Sequence, residues 1–176
     1  MPFTMSKASL PVFETELNAL KGLLDKAKAL ATAKKIDPSV LLNWRLAPDM
    51  FAFVRQVQIV CDQAKNGSAR LAGVEAPRFE DNETTLDQLR ARIAKTLDYL
   101  KTLDAKGIDG AADREITFPL GPKNKGHMKG DDYLNHFVLP NFYFHSTVAY
   151  AILRQCGVEI GKLDFLGTIP MRMTSA

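Results

Sequence analysis

Apolar residues recur at helical spacing in four long stretches, and a short alternating segment precedes the last of them. In residues 3–33, Phe13, Leu17, Leu20, Leu24, Ala27 and Ala31 form one stripe, with Glu14, Glu16, Lys21, Asp25, Lys26 and Lys28 between them. This spacing predicts an amphipathic helix in which Pro11, lacking a backbone N–H, either starts the regular part or kinks it. Asp37 followed by Pro38 reads as a cap and a first helical residue, so residues 36–43 predict a helix of one or two turns. Pro48 and Asp49 open the second long helix, with Asp49 as its cap and Met50, Val54, Val57, Cys61 and Ala64 as its stripe. It runs to Leu71 and ends at Gly73. Asn66 and Gly67 mark a possible break, because a glycine inside a helix costs roughly 1 kcal/mol against alanine.

The third helix, residues 85–103, carries the seam Leu86, Leu89, Ile93, Leu97 and Leu100, with Thr84 as cap and Asp87 as the acidic partner of a capping box. The next stretch, LDAKGIDGAAD, reads as loop, and REITFPL then alternates in the manner of a strand. Gly121 and Pro122 break it, and a return strand at residues 127–129 completes a hairpin. Residues 131–157 predict the last and most apolar helix, capped by Asp131 and closed by a left-handed Gly157. Its sides carry Leu134, Phe137, Val138, Phe142, Phe144, Val148, Ala149, Ile152 and Leu153, as expected of a helix with several neighbours. The fold class is all-α: a four-helix bundle with a short β-hairpin before the last helix, formed by residues 1–160 as one domain and followed by a tail at 161–176.

Composition narrows the function classes. An apolar fraction of 46% and a charged fraction of 24% are those of an ordinary globular protein. No stretch is long and apolar enough to span a bilayer and no signal-peptide pattern opens the chain, so a cytoplasmic location is expected. The net charge of +3 is mixed in sign, and the one dense basic stretch, Lys123 to Lys129, lies at a Gly- and Pro-containing turn; neither nucleic acid nor membrane is an expected partner. Cys61 and Cys156 sit in apolar helical patterns and read as buried thiols. No phosphate-binding glycine loop, Ser-His-Asp arrangement or paired-cysteine motif is present.

The candidate chemistry lies on the last helix and the second. Asn141 and His145 are four residues apart and share one face. Gln58 and Asp62, one turn apart beside the stripe of the second helix, are placed to reach inward. Together these four form an interhelical polar cluster, either a ligand pocket with His145 available for acid–base work or a self-satisfied cluster that fixes helix register. Phe142, Tyr143, Phe144 and Tyr150 form an aromatic belt suited to core or dimer contact, and Trp44 to a helix junction.

The segment FHSTVAYAILRQCGVEIGKLDFL resembles the end of the DinB/YfiT-like superfamily of helical bundles, whose members are described as metal-dependent enzymes. RLAPDMFAFVRQVQI and LPNFYFHSTVAYAILR are similar to an uncharacterised branch of it, domain-of-unknown-function family 1993, and the likeness covers nearly the whole chain. In the superfamily three histidines are the usual ligands, one on the second helix and two spaced by four on the last. Here His145 matches the last of them, Asn141 stands at the position one turn earlier, and the second helix offers Gln58, Ile59 and Asp62 but no histidine. His127 and His136 are the chain's other histidines, and His136 falls on nearly the opposite side of a regular helix from His145. The resemblance therefore implies a largely degenerate site in which His145 and Asn141, helped by Gln58 or Asp62, would hold zinc, nickel or manganese. Neutral amide oxygens are poor ligands for such ions, so the expectation is that none is bound. It also implies a homodimer and, if the protein is an enzyme, thiol-dependent transferase or isomerase chemistry with His145 as catalytic residue. The rival class is a non-catalytic small-ligand-binding protein or structural dimer.

Overall fold

The structure, a computed structural model, describes residues 3–172 and Thr174; the rest of the expected tail lies outside the described residues. Helix α1 (Met5–Lys34) starts at Thr4, whose side chain accepts from the Lys7 N–H. Its first turn is also tied from a distance, because the Ser6 N–H and hydroxyl donate to the two carboxylate oxygens of Asp109 at 2.7 and 3.0 Å. Pro11 lies inside the helix on its exposed side, where the missing N–H costs least. Glu16 falls among the buried positions of α1 rather than between them. Helix α2 (Pro38–Asn43) is capped by Asp37 as the sequence implies.

Helix α3 (Phe53–Ala72) begins later than expected. Its cap residue is Ala52, which has no side-chain bond to offer, and Asp49 lies in the preceding loop, which closes with the Phe53 N–H on the Trp44 carbonyl at 2.8 Å. The helix passes through Asn66 and Gly67 unbroken and ends at Gly73 in the left-handed region, φ 74°. Helix α4 (Leu86–Leu100) has its capping box one residue further on than the sequence suggests, at Thr85 and Gln88. The stretch read as loop contains a short helix, α5 (Ala105–Asp109), capped by Asp104. Gly107 lets α5 approach the α3 backbone, since a Cβ there would lie 3.1 Å from the Ala72 carbonyl oxygen. Strands β1 (Glu115–Leu120) and β2 (Asn124–Lys129) pair antiparallel, Thr117 opposite His127, with Ile116 and Phe118 turned into the core.

The last long helix is not uniform. It opens as α6 (Gly130–Asp132) with Lys129 at the cap position, so Asp131 lies in the first turn instead of capping it. A π-helical turn (Tyr133–Val138) follows, and α7 (Leu139–Gln155) completes the helix. The cause is Pro140. It cannot donate to the turn behind it, and the Leu139 N–H reaches five residues back to the Leu134 carbonyl. The C-terminus closes with Gly157 at φ 85° and the Val158 N–H on the Leu153 carbonyl at 3.0 Å, a Schellman arrangement with Val158 buried. A short helix, α8 (Lys162–Leu166), packs on α1: Lys26 meets Asp164 at 2.6 Å, and Phe165 meets Tyr150 edge-on at 5.7 Å.

Helices α1, α3, α4 and α7 form the bundle, with α3 packed against both α4 and α7 and α1 closing the other side. The core contains Phe13, Leu17, Leu24, Phe53, Val57, Leu89, Ile93, Phe142 and Ile152. Phe13 and Phe142 meet edge-on at 4.8 Å across α1 and α7. Each such side chain stabilises the fold by about 1.5–3 kcal/mol through burial. The expected helical fold with a hairpin before the last helix is therefore what the chain adopts.

Candidate functional site

His145 sits half-buried on the side of α7 that faces α3. Its Nδ1 lies 2.6 Å from the side-chain oxygen of Gln56, a residue only 1% exposed in the first turn of α3. The Gln56 amide nitrogen donates in turn to the Phe51 carbonyl at 3.0 Å. That second bond fixes which end of the amide faces the imidazole: an oxygen, which only accepts. Nδ1 must therefore carry the proton, and Nε2 carries the lone pair. Nε2 makes no hydrogen bond to the described residues, on a residue that is only half-buried. Burial, and then the positive charge of Arg55, push the imidazole pKa down to about 4, so it is neutral near pH 7. The exposed Phe144 ring stands edge-on to it at 5.1 Å.

The other expected site residues go elsewhere. Asn141 is half-buried, and its side-chain nitrogen donates to the Phe137 carbonyl of its own helix at 2.7 Å. Gln58 is two residues from Gln56, so it leaves α3 on nearly the opposite flank. It accepts from Arg55 at 3.2 Å and donates to Glu83 at 2.8 Å. Asp62 binds Arg92 at 2.9 Å. His127 and His136 are exposed, the first beside Thr117 on the hairpin and the second near Asp132.

Gln58 and Asp62 thus belong to a second cluster, under the segment of residues 73–85 that links α3 to α4. Arg92, whose side chain is 2% exposed, reaches Asp62 and Asp81 at 2.9 Å, Glu83 at 3.0 Å and the Glu80 carbonyl at 3.0 Å. Lys65 donates to the Pro77 carbonyl at 2.7 Å and lies 3.7 Å from Asp62, and Arg55 pairs with Asp81. The Phe79 ring covers Lys65 at 4.5 Å and Arg92 at 5.6 Å. Three cations, Arg55, Lys65 and Arg92, balance three carboxylates, Asp62, Asp81 and Glu83. Beside them lies a cavity of about 520 Å³ bordered by Phe79, Glu83, Gln88, Arg92 and Lys95.

Among the described residues no three His, Cys, Asp or Glu side chains come together as a metal-binding group. Around His145 the donor set is one imidazole nitrogen and an amide already bonded at both ends. That set does not fit a resident divalent ion. Cys61 is fully buried, with its thiol pushed up to about 12 by burial, and Cys156 is half-buried; both are free and neither is an activated nucleophile.

Sequence reading missed Gln56, whose only signal was a polar residue inside an apolar stripe, and the loop residues Asp81 and Glu83, which carry no periodic signal. It also passed over Glu16. That carboxyl is 8% exposed, and burial pushes its pKa up to about 7. Its charge acts on Tyr143 across the α1–α7 seam.

Four long helices with a hairpin ahead of the last define a DinB-like bundle. The crystal structure of a DinB family member protein from Shewanella denitrificans, at 1.83 Å resolution, superposes with a TM-score of 0.88 at 43% identity, covering 96% of this chain and 95% of that one. The model of the family described as domain of unknown function DUF1993 matches residues 5–166, and the chain belongs to that family. No curated protein matches it.

Proposed function

We propose that this DinB-like protein binds a small polar molecule at the α3–α7 seam, with His145 as the central contact and no resident metal. The observation that carries this reading is the neutral, half-buried imidazole with one nitrogen held by Gln56 and the other without a partner among the described residues. A histidine serving packing alone has no need of such an arrangement. Phe144, 56% exposed and edge-on to the imidazole at 5.1 Å, supplies apolar surface for the rest of a ligand. The same Nε2 lone pair is the one a general base would use, so acid–base chemistry on a bound molecule belongs to the same site. Asn141, Gln58 and Asp62 support the helices around it rather than the ligand.

The rival reading is a homodimer in which a second copy covers Phe51 and Phe144; their exposure is the observation in its favour. A thermal-shift screen of small polar molecules separates these, run beside zinc, nickel and manganese on wild type, His145→Ala and Asn141→Ala. The proposal expects stabilising organic ligands whose effect disappears in His145→Ala and survives in Asn141→Ala, with no comparable response to the metals. Metal stabilisation lost in His145→Ala would overturn it. Stabilisation by dilution-sensitive self-association alone would favour the dimer.

A further inference from the structure

The partners of Gln56 give it a role that neither its sequence position nor the family assigns. We propose that Gln56 is a positioning residue that holds His145 in the Nδ1–H tautomer and so presents Nε2 as a hydrogen-bond acceptor, which makes the ligand one that brings an O–H or N–H to that point. This deepens the reading of His145 as a ligand-binding centre and rests on it, but its geometry stands apart from any ligand.

The argument is a chain of donors and acceptors. The Phe51 carbonyl only accepts, so the Gln56 end facing it at 3.0 Å is the NH₂ group. The opposite end, 2.6 Å from Nδ1, is then the oxygen, and two acceptors do not share a hydrogen bond. An imidazole free in water favours the Nε2–H form, and a single well-placed acceptor at Nδ1 reverses that preference. Gln56 is anchored for this task. It is 1% exposed on a rigid helix, and its amide nitrogen holds the loop carbonyl that precedes α3. The Arg55 guanidinium, next in sequence, acts on His145 with positive charge. What suits a bare Nε2 is a molecule that brings a hydroxyl or N–H to it.

The test needs no ligand. Long-range ¹H–¹⁵N correlation spectra of the full chain at neutral pH report which ring nitrogen of His145 carries hydrogen, with His145→Ala used for assignment. The expected result is a protonated Nδ1 and a bare Nε2 in the wild type, and a shift toward the Nε2–H form in Gln56→Met. A wild-type His145 in the Nε2–H form would overturn the inference, whether or not the variants fold. An unchanged tautomer in a folded Gln56→Met would overturn it as well. Either failure leaves the ligand screen to judge the site itself, and a failed screen with an Nδ1–H imidazole would remove the site but not the tautomer lock.

Discussion

Burial acts on Glu16 and His145 in opposite senses, and the pH dependence of stability follows from the pair. The Glu16 carboxyl, ordinarily near 4.5, is raised to about 7. Its contribution is fully present below pH 4.5 and is lost as pH rises to 7, because the unfolded chain then releases a proton that the folded one keeps. The His145 imidazole, ordinarily near 6.5, is lowered to about 4. Below pH 6.5 the unfolded chain takes up a proton that the folded one refuses, so stability falls until pH reaches about 4. The two windows overlap and their slopes oppose. Glu16→Gln is expected to stabilise the protein by roughly 3 kcal/mol above neutral pH and to unmask a loss of stability in acid. Urea unfolding of both proteins at a series of pH values checks this, and parallel curves would contradict it. Arg92 belongs to the same scale. A buried ion network of this kind gains little over an apolar replacement, but removing one member leaves the others uncompensated. Arg92→Ala is expected to cost about 3–5 kcal/mol and to speed hydrogen exchange in residues 74–85. Exchange that stays slow there would show that the segment is held by something else.

Among the elements, the π-helical turn explains a residue that the sequence alone makes look like a fault. Gly67 lies mid-helix in α3, where alanine would gain about 1 kcal/mol of helix propensity. Yet a Cβ at that point would stand 2.6 Å from a Val138 methyl carbon at the end of the π turn. Val138 is β-branched and stiff, so it cannot swing aside cheaply. Gly67→Ala is therefore expected to lose about 1–3 kcal/mol instead of gaining, and Val138→Ala in the same chain to relieve most of it. Denaturation of the two single variants and the double variant measures that coupling; additive losses would contradict it. The same comparison shows what the sequence could reveal. The bundle helices were legible because long apolar stripes fix the buried face. Short α5 and α8 were not, having too few turns for a period to register. The π turn arises from one missing N–H at Pro140, which no periodicity reports. At the site, His145 was legible as a polar residue on an apolar helix. Its partner was not, since Gln56 and Gln58 leave α3 on nearly opposite flanks and only the packing decides which of the two faces α7.

At the scale of the molecule, the bundle keeps two polar clusters apart on opposite flanks of α3. The Arg92 network balances its own charges and pins the segment between α3 and α4. The His145 corner leaves one ring nitrogen without a bond to the described residues at the α3–α7 seam. No described helix is long and apolar enough to cross a membrane. The hairpin completes the core beneath the last helix, where Phe118, Tyr133 and Phe137 stack with centroids 4.4–5.6 Å apart. Tyr133 is fixed there by a 3.0 Å bond from Arg70. This division of labour makes the central claim a matter of place: a ligand of this protein touches His145. Its most direct test is a backbone ¹H–¹⁵N titration of the labelled full chain with pooled small hydroxyl and N–H donors. The account predicts saturable shifts centred on His145, Gln56, Phe51 and Phe144, absent in His145→Ala while the remaining spectrum is unchanged. Saturable shifts centred on Arg92 and Lys95, or the same shifts persisting in His145→Ala, would contradict it.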